Sequence, residues 1–174
     1  MGETLRYLLP KLYPDFLENE HWLIINHQGK SDLERSYPRK MTHWGEPRIR
    51  FIILRDNDGA DCHVLKQSLI AKVPDNPPPN SMRIVCQELE GWLLGDMEAV
   101  AAAYPQATRH SNFKSLSKKD PDTFNNASEL LKDLTGTGVK IERASRIAEN
   151  MRPLTNRSTS FQVFVKGLDR IIAQ

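Results

Sequence analysis

The chain has 174 residues, a length that suits a single hydrophobic core. Its 39% hydrophobic and 26% charged residues exclude wholesale disorder, and a net charge of +2 excludes nucleic-acid binding by bulk charge, so any contact with a polyanion has to be local. No apolar run approaches the roughly 18 residues that cross a bilayer, the start lacks a signal-peptide pattern, and Cys62 and Cys86 lack the dense spacing of a disulfide framework, so a soluble cytoplasmic protein with reduced thiols and no membrane partner is expected.

Leu5, Leu8, Leu9 and Leu12 fall at i, i+3, i+4 and i+7, which predicts an opening amphipathic helix closed by Pro14. Trp22-Leu23-Ile24-Ile25 reads as a short strand, followed by a turn at Gly29 and an S-x-x-E capping box, Ser31 to Glu34, that starts a second helix. Phe51 to Leu54 is a continuous apolar strand, after which the polar loop Asp56 to Gly59 leads into a helix with Cys62, Leu65, Leu69 and Val73 on one face. A proline-rich connection, Pro74 to Asn80, precedes the strand Met82 to Cys86. Leu89, Trp92, Leu93, Met97 and Val100 then recur at helical spacing, with Trp92 in the core.

Strands alternating with helices imply an α/β fold, a mainly parallel sheet flanked by helices. From Tyr104 to Asp122 the pattern is polar and irregular, and three helical patterns follow: around Leu130 to Leu134, from Ile141 to Met151, and through Phe161, Phe164, Val165, Leu168 and Ile172. The expected organisation is one domain over 1–174, with an α/β core at 1–103 and a mostly helical extension at 104–174.

Ligands of parallel α/β sheets bind outside the carboxyl ends of the strands, and that is where the acids lie. One strand delivers Asp56 and Asp58, another Glu88 and Glu90. Four converging carboxylates would repel one another unless a cation compensated them, and Mg²⁺ (or Mn²⁺), which takes oxygen ligands and keeps several waters, suits such a set, with Asp56, Asp58 and Glu90 as the expected ligands. Taken alone, Asp56-Asn57-Asp58-Gly59 also suits a solvated turn, and Glu88 and Glu90 also suit first-turn helix acids. Lys30 and Ser31 at a helix start, and Asn156-Arg157-Ser158 before the last helix, are candidates for holding phosphate; capping by Ser31 and surface pairing of Arg157 are the plainer readings. His27 suits a general base or, more plainly, a polar strand end, and Arg109, Lys114, Lys118 and Lys119 form a basic loop that suits contact with nucleic acid or, more plainly, a solvated charged loop.

The strings Phe51-Ile-Ile-Leu-Arg-Asp-Asn-Asp-Gly, Cys86-Gln-Glu-Leu-Glu-Gly-Trp92 and Asn156-Arg-Ser158, with Gly29-Lys30-Ser31-Asp32 and Leu8-Leu9-Pro10, resemble a bacterial domain-of-unknown-function family with a Toprim-like fold. Toprim domains occur in primases, topoisomerases and overcoming-lysogenization-defect-type nucleases, where an acidic D-x-D motif at a strand end helps bind Mg²⁺ for phosphodiester cleavage or transfer. The resemblance implies that role for Asp56 and Asp58, makes Glu88 and Glu90 additional acids, and suggests phage defence beside a partner ATPase. Toprim domains also begin with a strand ending in a glutamate. Here the first predicted element is the helix that would follow it, so the resemblance implies a missing first strand, and Glu3 comes too late to replace the glutamate.

The expected function is a Mg²⁺-dependent nuclease or other phosphodiester-processing protein. The alternative is a non-catalytic Toprim-like module that binds nucleic acid or a partner. An apolar strand followed by D-x-D-G also opens the haloacid-dehalogenase phosphatases, with the first Asp as nucleophile, but Ala60 stands where Thr or Val is usual and no later acidic pair with a matching lysine follows.

Overall fold

The computed structural model describes residues 1–136 and 138–173. In chain order its elements are α1 (Gly2–Leu12), α2 (Lys30–His43), β1 (Phe51–Asp56), α3 (Cys62–Ile70), β2 (Asn80–Val85), α4 (Glu90–Leu94), α5 (Met97–Ala103), α6 (Phe113–Leu116), α7 (Ala127–Thr135), α8 (Lys140–Asn150) and α9 (Thr159–Ile172), with single 3-10 turns at Pro105–Arg109, Pro121–Thr123 and Pro153–Thr155. They form two compact units, one of residues 1–26 and 87–159, the other of residues 27–86 and 160–174.

The first unit is helical. α1 packs against α8, burying Leu8 and Leu9, and Lys11 crosses to the end of α8, where its Nζ donates to the carbonyls of Ala148 (3.0 Å) and Met151 (2.9 Å). These carbonyls lie at the carboxyl end of α8, where Ala148 O also accepts from Met151 N at 3.2 Å, and a cation there interacts favourably with the helix dipole. The single helix expected from Leu89 to Val100 is instead two, because Asp96 caps the second: its Oδ1 accepts from Ala99 N at 3.0 Å. Trp92, Leu93, Leu94, Val100, Leu131, Ile147 and Met151 are fully or almost fully buried around this break, with Trp92 at 0% exposure, as the helical spacing predicted.

Trp22 to Ile25 is not a strand. The stretch contributes one isolated bridge, Glu18 to Trp22, and Leu23 and Ile25 stay more than a third exposed. Apolar, β-branched composition makes a run able to pair; it forms a strand only where a neighbouring backbone supplies the ladder, and here the bridge is made within its own turn.

The second unit holds a parallel sheet of, among the described residues, two strands, β1 and β2, in register from Phe51↔Asn80 to Asp56↔Val85. One face, with Ile53 and Met82, is covered by Tyr37 and Met41 of α2 and by Leu65 and Leu69 of α3, flanked by Leu33, Phe51, Val73 and Ile84. This is the helix-covered sheet face that the alternating pattern implies. Arg83, on the alternate face of β2, lies against α9 at Gly167, where a Cβ would sit 2.1 Å from Arg83 Nε. A glycine inside a helix costs about 1 kcal/mol relative to alanine, and here it makes room for a guanidinium. α9 buries Phe161, Phe164, Leu168 and Ile171. The chain is thus a mixed α/β protein with a small parallel sheet, and no described helix is long and apolar enough to cross a membrane.

Candidate functional site at the carboxyl end of the parallel strands

Asp56 is the last residue of β1, and the next residue binds the two strand ends together. Asn57 extends the ladder by donating its backbone N–H to Val85 O at 3.1 Å, while its buried side chain spans the loop, Nδ2 reaching Ala60 O at 2.9 Å and Cys62 Sγ at 3.2 Å. A second loop bond runs from Ala60 N to Asn57 O at 2.8 Å. The clasp turns the chain through left-handed conformations at Asp58 (φ 49°) and Gly59 (φ 79°), the first tolerated by aspartate and the second natural to glycine. Asp58 is thereby held out in solvent beyond the sheet. The loop closes on Asp61, which caps α3 by accepting from His63 N and Val64 N; the bond from Val64 is the main reason its carboxyl sits below the usual range.

α2 stands beside this loop. Its N-cap is Gly29 (φ 95°), and Ser31 makes no capping hydrogen bond. Asp32 instead ties the first turn to the segment before it, accepting from Gln28 N and from His27 Nδ1, both at 3.1 Å, and these bonds, Gln28 first, lower its pKa. The capping box expected at Ser31 and Glu34 is therefore absent, since Glu34 points elsewhere: it pairs with Arg55 of β1 at 2.5 Å and with Lys72. The Lys72 hydrogen bond, with the charge of Arg55, holds the Glu34 carboxyl below its ordinary pKa. Lys30 Nζ lies 3.4 Å from Asp58 Oδ2, with both side chains more than half exposed.

Glu88 and Glu90 belong to the other unit and have structural partners. Glu88 Oε2 accepts from Ser128 N at 2.8 Å in the first turn of α7, a carboxylate at a helix start. Glu90 is 5% exposed and pairs with Lys140 at 2.9 Å. Asn156 is fully buried, donating to Trp92 O at 2.7 Å and accepting from Ser158 N at 2.8 Å; Ser158, also buried, donates to Asp122 at 2.6 Å. Arg157 is exposed and donates to Lys119 O at 3.0 Å. Arg109, Lys114, Lys118 and Lys119 are exposed. Cys62 and Cys86 are not joined in a disulfide. Among the described residues, no group of three or more His, Cys, Asp or Glu side chains is placed to hold one metal ion.

Sequence reasoning missed Asn57, which reads as a turn residue yet is the clasp, and the Glu34–Arg55–Lys72 cluster, whose members are 17 or more positions apart in the chain. It also missed the outer face of α2. Arg35, Arg39 and His43 recur there every four residues, opposite Leu33, Tyr37 and Met41, and that spacing was visible.

The model of the family described as "Domain of unknown function (DUF4276)" matches residues 2–169, nearly the whole chain. The chain belongs to this family. No curated protein and no solved structure matches this DUF4276 domain. The bacterial domain-of-unknown-function membership read from its motifs is thus shown, and those motifs carry different structural weight: Asp58 and Gly59 are exposed in a loop that the buried Asn57 clasps, while Asn156 and Ser158 are internal braces on either side of the exposed Arg157.

Proposed function

We propose that this DUF4276 domain is a Toprim-like, divalent-metal-dependent nuclease, or phosphodiester-processing protein, whose site lies at the loop after β1. The observation that carries the reading is the clasped Asp56-Asn57-Asp58-Gly59 turn at the carboxyl end of a parallel strand pair, with Lys30 beside its outer carboxylate. Mg²⁺ commonly takes one or two carboxylates and fills its remaining positions with water and substrate oxygens, so Asp56 and Asp58 suit it by donor chemistry without a third acid. When bound, such a cation supplies charge stabilisation at phosphoryl oxygens and acidifies water for attack. Lys30, at the start of α2 and 3.4 Å from Asp58, would pair with a substrate phosphate in exchange for that carboxylate. The Toprim-like resemblance extends the proposal to phage defence beside a partner ATPase.

A second reading, a module that binds nucleic acid or a partner without cutting, is favoured by one observation: Glu88 and Glu90 are already committed to Ser128 and Lys140. A nuclease assay on DNA and RNA separates the two. Cleavage that requires Mg²⁺ or Mn²⁺, stops with chelator and is abolished in Asp56→Ala is the expected result. Folded protein that shows no cleavage of either substrate over a full metal titration overturns the nuclease reading in favour of the second.

A further inference from the structure

The outer face of α2 borders a cavity of about 710 Å³ whose lining includes Asp32, Arg35, Arg39, Lys40, His43 and Trp44. Helical spacing makes this face: Leu33, Tyr37 and Met41 turn into the core, and the polar residues between them turn out. Three fixed cations stand there against one carboxylate, in a chain whose net charge is only +2. Among the described residues none of the three has a salt-bridge partner: Arg35 donates to the Ser31 carbonyl at 3.3 Å and Lys40 to the Ser36 hydroxyl. Asp32, the one acid, already accepts from Gln28 N and His27. A face that carries three cations against one carboxylate, with only Arg35 near that carboxylate, attracts anions from solution.

We infer that this groove binds single-stranded nucleic acid, with Arg35, Arg39 and Lys40 against its phosphates and the Trp44 ring against a base. Arg35 and Arg39, four positions apart, lie about 6 Å apart along the helix with Lys40 next to Arg39, and such a spread of cations suits a repeating polyanion better than one small anion, which asks for converging donors. Trp44 stands just after α2, half-buried and held edge-on to Phe51 (centroids 5.9 Å apart, planes at 86°), so its ring is fixed rather than swinging free. A positively charged groove with an aromatic platform is the arrangement that holds single strands without reading their sequence. An anionic membrane fits poorly, because this face of α2 has no apolar row to enter the lipid. The inference shares its class of polymer with the proposed function and needs none of its metal chemistry.

The test is binding of fluorescent 20-nucleotide single strands of DNA and RNA to the full chain, in chelator, across a salt series. Expected is measurable binding that weakens at least tenfold at low salt in the Arg35→Ala/Arg39→Ala/Lys40→Ala variant. The salt slope should also become shallower by about 2, the value for three phosphates on a single strand. Trp44→Leu should weaken binding about tenfold and leave the slope unchanged. Binding that is unaltered in the triple variant at every salt concentration overturns the inference. So does capture of anionic vesicles or polyglutamate without capture of either strand. Because Trp44 also packs on Phe51, circular dichroism and Trp44→Phe, which keeps an aromatic ring and should bind within a few-fold of the parent, separate lost stacking from lost folding. With no divalent metal in the tube, failure of cleavage and failure of binding are read in different experiments.

Discussion

The segments that follow β1 and β2 carry the same kind of sequence, two carboxylates separated by one residue, and use it in different ways. After β1, the residue between is Asn57, a polar side chain that buries itself by clasping Ala60 and Cys62 and so turns Asp58 into solvent beside Lys30. After β2, the residue between is Leu89, 4% exposed, whose burial comes with the start of α4 and a Glu90 sunk against Lys140, while Glu88 reaches the first turn of α7. The number and spacing of acids are alike. What differs is whether the intervening side chain satisfies a loop or fills a core, and that decides whether the second carboxylate, Asp58 or Glu90, faces solvent or becomes part of the scaffold.

The largest expected effect comes from the scaffold side of this comparison. If Asn156 is an internal brace, Asn156→Ala removes its buried hydrogen bonds to the Trp92 carbonyl and the Ser158 N–H and should destabilise the protein by about 2 kcal/mol in urea denaturation. Stability within about 0.5 kcal/mol of the parent would break the comparison by showing that the triplet is free for another role.

A smaller effect tests the face of the sheet that Arg83 occupies. Arg83 is pushed toward a lower pKa by desolvation, with the charge of Arg170 adding to it, and its buried Nε has no hydrogen-bond partner among the described residues. Gly167→Ala should cost about 1–2 kcal/mol by crowding that guanidinium, whereas in an Arg83→Ala background the same change should be neutral or stabilising by up to about 1 kcal/mol through helix propensity. A double-mutant cycle measures the difference, and additive effects would mean that the glycine serves some purpose other than room for Arg83.

Much of the fold was legible because its signals are local. Leu65 and Leu69 gave α3, Phe51 to Leu54 gave the centre of β1, and the spacing of Leu89, Trp92 and Leu93 placed a tryptophan correctly at the core. The break before Met97 was also written locally, in Asp96, a residue that competes for the N-cap and ends a continuous apolar stripe. Trp22 to Ile25 misled because strand composition reports what a segment can do, while a strand also needs a neighbour. Site residues were harder. The sequence put Asp56 and Asp58 at a strand end, but the fates of Glu34, Asn156 and Ser158 depend on Arg55, Lys72, Trp92 and Asp122, partners 21 to 64 positions away.

The smallest effect sharpens the solvent side. Glu34 joins α2 to β1 through Arg55 and to the segment after α3 through Lys72, so part of the positioning of the β1 end is electrostatic rather than packed. Its carboxyl is held below the ordinary value of 4.5, chiefly by the Lys72 hydrogen bond. A carboxyl with a lowered folded-state pKa contributes stability that is fully present above its unfolded value and is lost as the pH falls through its folded value. At pH 7, therefore, Glu34→Gln should cost about 1 kcal/mol, discounted for the exposure of Lys72. The gap between variant and parent should hold down to about pH 5 and close on further acidification, when the parent carboxyl protonates and resembles the amide. Urea denaturation at pH 7, 5 and 3 follows it. A gap that persists unchanged at pH 3 would mean that Glu34 acts through shape, and the solvent-facing end of β1 would then be held in the same manner as the buried brace around Asn156.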